Sequence, residues 1–80
     1  MVVSAMAIDP SLFRQLSQQS RQLAEERGWT WLGPVDIYAD VHNSEPVWMV
    51  RTNSMSMGTN VLVTISKSDH AIIHASFLPR

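Results

Sequence analysis

The apolar residues of this chain change their spacing once. From Pro10 to Arg27 they recur at helical intervals: Leu12, Phe13, Leu16, Leu23 and Ala24 form one stripe, with Ser20 completing it. Arg14, Gln15, Gln18, Gln22 and Glu25 lie off that stripe and form the wet face. The ends of the segment are marked as clearly as its middle. Asp9 is placed to accept first-turn N–H groups, and Pro10 falls at the first helical position, where a missing N–H costs nothing. Ile8 and Phe13 have the spacing of a hydrophobic staple. Gly28 suits the left-handed position after the last turn, with Trp29 packing back on Ala24.

Beyond Gly28 the spacing becomes two. Trp29 to Leu32 reads as a short extended stretch ended by the Gly33-Pro34 turn. Val35 to His42, Val47 to Thr52, Thr59 to Ser66 and Ala71 to Phe77 read as strands, separated by turns at Asn43–Pro46, Asn53–Gly58 and Ser68-Asp69. The expected architecture is a single α+β domain over residues 1–80: an N-terminal arm (1–8), a helix (9–28), and a four- or five-stranded antiparallel sheet (29–77) in the order α-β-β-β-β. Alternation sorts the strand residues into faces. The helix-covered face takes Val35, Ile37, Ala39, Val41, Trp48, Val50, Val61, Val63, Ile65, Ala71, Ile73, Ala75 and Phe77. The other takes Asp36, Tyr38, Asp40, Val47, Met49, Arg51, Leu62, Thr64, Ile72, His74 and Ser76.

Composition narrows the functional classes. Eighty residues make one small domain, for which self-association is a natural source of extra stability. The net charge of −1 lacks the basic excess of a nucleic-acid binder. Zero Cys removes disulfides and cysteinyl metal sites. The opening MVVSAMAI has no basic region and is too short for a signal peptide, and no run is long enough for a membrane span. A cytoplasmic protein with no membrane or nucleic-acid partner is expected.

The candidate chemistry is thin. His70 and His74 have helical metal-ligand spacing, but on a strand that spacing spans about 13 Å, too far for one ion. His42 and His74 would need Asp36 or Asp40 brought close by the strand order to make a metal-dependent enzyme. Met55 and Met57 have the spacing of a thioether copper site, against which stands their use as flexible contact residues in a polar loop. No nucleophile elbow or phosphate loop occurs. Trp29, Trp31 and Trp48 suit the ends of a small core better than base stacking. No catalytic residue, cofactor or metal is therefore assigned, and the protein is expected not to be an enzyme.

The segment Val47 to Asn53 (VWMVRTN), the turn at Gly58, and Asn60 to Phe77 (NVLVTISKSDHAIIHASF) resemble the paired strands of small cystatin-like and PepSY-type α-β-β-β modules, a shape shared by certain small bacterial immunity proteins. The likeness covers about half of the chain. It departs from the usual turn, placing Ser68-Asp69-His70 where many such hairpins have Asp or Asn followed by Gly. The resemblance implies binding or inhibition of a protein partner without catalytic residues.

One helix can cover only one face of a sheet, and the other face is too apolar to be idle. Tyr38, Asp40, Met49, Arg51, Leu62, Ile72 and His74 are the expected partner-binding surface, with Met55 and Met57 as loop contacts and a homodimer as one form of partnership. The alternative is a small-ligand site between helix and sheet, lined by Phe13, Trp48 and Phe77.

Overall fold

The computed structural model describes residues 8–79; the rest of the expected N-terminal arm lies outside the described residues. Helix α1 (Pro10–Arg27) is followed by strands β1 (Asp36–His42), β2 (Glu45–Arg51), β3 (Asn60–Ser66) and β4 (Ile72–Leu78). The strands form one antiparallel sheet in sequence order, and the helix packs on one face of it.

The ends of α1 are set by local chemistry. Asp9 Oδ2 accepts from the N–H groups of Ser11 at 3.0 Å and Leu12 at 3.2 Å. Ile8 and Phe13 both pack against the core, as a staple requires. At the other end Gly28 is left-handed, with φ of 73°. The N–H of Trp29 reaches back to the Ala24 carbonyl at 2.8 Å, closing the last turn. Leu16, Ser20 and Ala24 are fully buried on the sheet side, and the five polar residues of the wet face are exposed.

The core unites Leu16 and Ala24 of α1 with Ile37 of β1, Val50 of β2, and Val61, Val63 and Ile65 of β3. Burying each of the larger side chains contributes about 1.5–3 kcal/mol, and the central strands supply most of them. Trp29, Trp31 and Trp48 are half-buried around this centre. Trp29 stacks on Phe77 with centroids 5.9 Å apart, and the Lys67 ammonium sits 4.3 Å from the centroid of Trp48. Phe13, Trp48 and Phe77, the expected lining of a helix–sheet ligand site, pack on fully buried neighbours.

One expectation is settled and one corrected. Of the four or five strands expected, the sheet has four, because Trp29–Leu32 does not join it. The Trp29 N–H belongs to the helix cap, and the Leu32 carbonyl accepts from the Asn53 N–H at 2.7 Å, which ties this stretch to the β2–β3 loop. The correction concerns β4. Thr64 stands opposite His74, yet the next residue, Ile65, stands opposite Ile72. The extra residue is a β-bulge, which reverses the facing of everything before it. Ile72 therefore lies beside Ile65 and packs on the core, while Ala71 and Ile73, expected inside, are exposed.

Helix α1 does not cover the whole sheet. At the end of β1 nearest the β1–β2 turn, Ala39 is exposed and Val41 is 66% exposed, although both belong to the helix-side face. No helix among the described residues is long and apolar enough to cross a membrane.

Candidate functional site

The register arranges the sheet face away from α1 in rows. Asp36, Arg51, Leu62 and Ser76 form one row across the sheet; Tyr38, Met49, Thr64 and His74 form the next. Asp40, Val47 and Ser66 follow, and His42 with Glu45 closes the β1–β2 end. That end is filled. Val47 and Ser66 are buried, and Ser66 Oγ donates to Glu45 Oε2 at 2.9 Å and shares a hydrogen bond with Ser68 Oγ at 2.9 Å.

The opposite end is hollow. Tyr38, Met49, Arg51, Met57, Asn60, Leu62 and Leu78 line a groove of about 370 Å³. Its floor is the sheet, where cross-strand neighbours hold one another in place: Thr64 Oγ1 donates to Met49 Sδ at 3.3 Å. Its wall is the β2–β3 loop, from which Met57 approaches the Arg51 guanidinium, with Nη2 and Sδ 3.9 Å apart.

The loop is pinned by one buried amide. Asn60 Nδ2 donates to the carbonyl of Thr52 at 2.7 Å and lies within hydrogen-bond distance of the carbonyls of Asn53 and Ser56. Asn60 Oδ1 accepts from the Gly58 N–H at 2.8 Å, so donors and acceptor are all used. Thr52 Oγ1 accepts from the Val61 N–H, and Asn53 Nδ2 donates to the Gly58 carbonyl. The network holds Asn53, Gly58 and Thr59 at φ of 50°, 98° and 55°. For a β-branched residue such as Thr59 this is an uncommon conformation, maintained by its surroundings. Met55 and Met57, each 83% exposed, thus project from a fixed frame.

Tyr38, Met49, Arg51 and Leu62 of the expected surface are brought together, and Met57 joins them from the loop. Asp40 lies one row beyond, with Oδ1 accepting from its neighbour Val41 N–H at 2.8 Å. His74 is exposed on the far strand. Met55 is exposed on the loop away from the groove lining. Ile72 is on the other face altogether, because of the bulge. The sequence reading missed Leu78 and Asn60. Leu78 continues the alternation one residue past the expected strand end. Asn60 follows a Gly-containing loop directly, a position from which an amide can reach back to loop carbonyls.

The histidines are dispersed. His42 ends β1, His74 sits on β4, and His70 lies in the β3–β4 turn, where its Nδ1 is 3.4 Å from Gln15 Nε2. The His70 carbonyl accepts from Gln19 Nε2 at 2.8 Å. His70 holds φ of 59°, the conformation that the glycine of a more usual turn would supply. Among the described residues no three His, Asp or Glu side chains are grouped to hold a metal ion.

No family model, curated protein or solved structure matches this chain. Its chemistry is read from the groove alone. Tyr38, Met49, Met57, Leu62 and Leu78 offer an apolar, polarisable lining. Arg51 adds one guanidinium, which among the described residues has no carboxylate partner within ion-pair distance. Such a surface suits an apolar side chain with a carboxylate beside it.

Proposed function

We propose that this protein is a small non-enzymatic interaction module that seats a segment of a protein partner in the groove on the sheet face away from α1. The observation that carries this reading is the convergence of Tyr38, Met49, Arg51 and Leu62 with the loop residue Met57 around one hollow. Aromatic, Met and Arg side chains are those enriched at interface centres. The floor belongs to a sheet and the wall to a hydrogen-bonded loop, so little conformational entropy is lost when a partner docks. The partner segment presents an apolar anchor to Met49 and Leu62 and an acidic group to Arg51. The resemblance to cystatin-like and PepSY-type modules supports an accessory or immunity-like inhibitory role, and the lack of Cys suits action in the cytoplasm.

The test is co-purification of the tagged protein from its native host, beside Leu62→Asp and the wet-face control Gln22→Asp. A partner retained by the wild type and the control but lost with Leu62→Asp supports the reading. Capture of nothing, or the same capture by all three, overturns it.

A further inference from the structure

Strand β1 is an edge of the sheet, and the β1–β2 turn reveals which of its backbone groups face outward. Asn43 and Ser44, with φ of 50° and 67°, form a two-residue turn between His42 and Glu45. In such hairpins the flanking pair is hydrogen-bonded, and hydrogen-bonded pairs alternate along the ladder. Asp36, Tyr38, Asp40 and His42 therefore direct their N–H and C=O groups to β2. Ile37, Ala39 and Val41 direct theirs to the open edge. The Val41 N–H agrees, because the Asp40 carboxylate takes it at 2.8 Å.

The two edges of the sheet differ. Strand β4 is broken by its bulge and followed by Pro79, both of which discourage pairing with another strand. Strand β1 is seven residues long with regular register and no proline, and among the described residues only the Asp40 cap on Val41 protects it.

We propose that two copies of this chain pair antiparallel through their β1 edges about a two-fold axis at Ala39, merging two sheets into one. The charges on β1 select that register. Outward-facing residues must meet outward-facing residues, so the axis falls on a residue of the strand itself. Centred on Tyr38, the pairing would set Asp36 opposite Asp40 of the second copy. Centred on Asp40, it would oppose the two Asp40 carboxylates. Like charges directly opposite are destabilising. Centred on Ala39, Asp36 meets His42 of the second copy, Tyr38 meets Asp40, Ile37 meets Val41, and the whole strand is used. The outer face then carries the row Arg51, Asp36, His42 and Glu45, the last two from the second copy, with basic and acidic groups alternating. On the other face the exposed Val41 gains Ile37 as a neighbour. The Asp40 carboxylate swings aside and releases the Val41 N–H to the Ile37 carbonyl of the second copy.

This pairing uses the β1 edge and does not require the groove to be filled, although Tyr38 borders both, and the experiment separates the two. Molecular mass is measured by light scattering over a concentration series for the wild type, Ala39→Pro, His42→Asp and Leu62→Asp. Proline at position 39 removes an outward N–H and no bond to β2. The expected result is a concentration-dependent dimer that Ala39→Pro abolishes, that His42→Asp weakens by about tenfold, and that Leu62→Asp leaves unchanged. Because the chain has no Cys, Ala39→Cys reports the register. The two thiols face each other across the axis and oxidise to a cross-linked dimer. Val41→Cys does not cross-link, because its two copies lie about 13 Å apart along the strands. A wild type that stays monomeric throughout, a dimer that survives Ala39→Pro, or equal cross-linking at positions 39 and 41 overturns the proposal.

Discussion

The side-chain amide of Asn60 donates to the carbonyl of Thr52 at 2.7 Å and, through Oδ1, accepts from the Gly58 N–H at 2.8 Å. One buried residue thus ties the end of β2 to the tip of the loop that walls the groove. Asn60→Ala leaves those backbone groups without partners and is expected to destabilise the protein by about 1–3 kcal/mol, the range for an orphaned buried polar group. Chemical denaturation measures the loss. Hydrogen exchange at Gly58 reports the loosened loop, and an unchanged exchange rate there contradicts this role.

Gly28 separates backbone strain from steric exclusion. A Cβ built there meets nothing within 4 Å, but its φ of 73° is left-handed. Gly28→Ala is therefore expected to cost only the conformational penalty, about 1–2 kcal/mol. Gly28→Asn is expected to cost less, because Asn tolerates that region better. Thermal unfolding of both variants checks the order; equal losses would point to packing instead.

The bulge in β4 makes adjacent isoleucines unequal. Ile72 packs against the core beside Ile65, whereas Ile73 is exposed. Ile72→Ala is expected to cost about 2–3 kcal/mol and Ile73→Ala less than about 1 kcal/mol. Paired urea titrations decide it, and the reverse order would restore the uninterrupted alternation.

Ser20 is fully buried on the sheet-facing side of α1, and among the described residues its hydroxyl has no hydrogen-bond partner. Removing an unsatisfied buried hydroxyl spares its desolvation cost. Ser20→Ala also improves helix propensity and is expected to stabilise the protein by about 1 kcal/mol. A fall in stability in denaturant titration would mean that the hydroxyl has a role in packing.

The groove was only partly legible before the fold was known. Tyr38, Met49, Arg51 and Leu62 were assigned to one face because strand alternation is a property of the backbone pleat, visible without neighbours. Their convergence depends on strand order, which alternation does not encode. Ile72 was placed on the wrong face because a bulge leaves no mark in a run of apolar residues such as Ala71-Ile72-Ile73. Asn60 was read only as part of the strand Thr59–Ser66, since strand alternation does not show that its amide reaches loop carbonyls up to eight residues away.

What the amino-acid order determined by itself is what short-range forces govern. The caps of α1 act within three or four residues, so Asp9, Pro10 and Gly28 marked its bounds directly. The change from helical to strand spacing set the α-β-β-β-β order and most of the two faces. Tertiary structure alone decided that Trp29–Leu32 stays out of the sheet, that β4 bulges, and that the β2–β3 loop stands over Arg51. Each depends on groups far apart in the chain finding one another, as the Leu32 carbonyl and the Asn53 N–H do. Those pairings are chosen by the packing of the whole sheet, and residue type at a single position does not carry them.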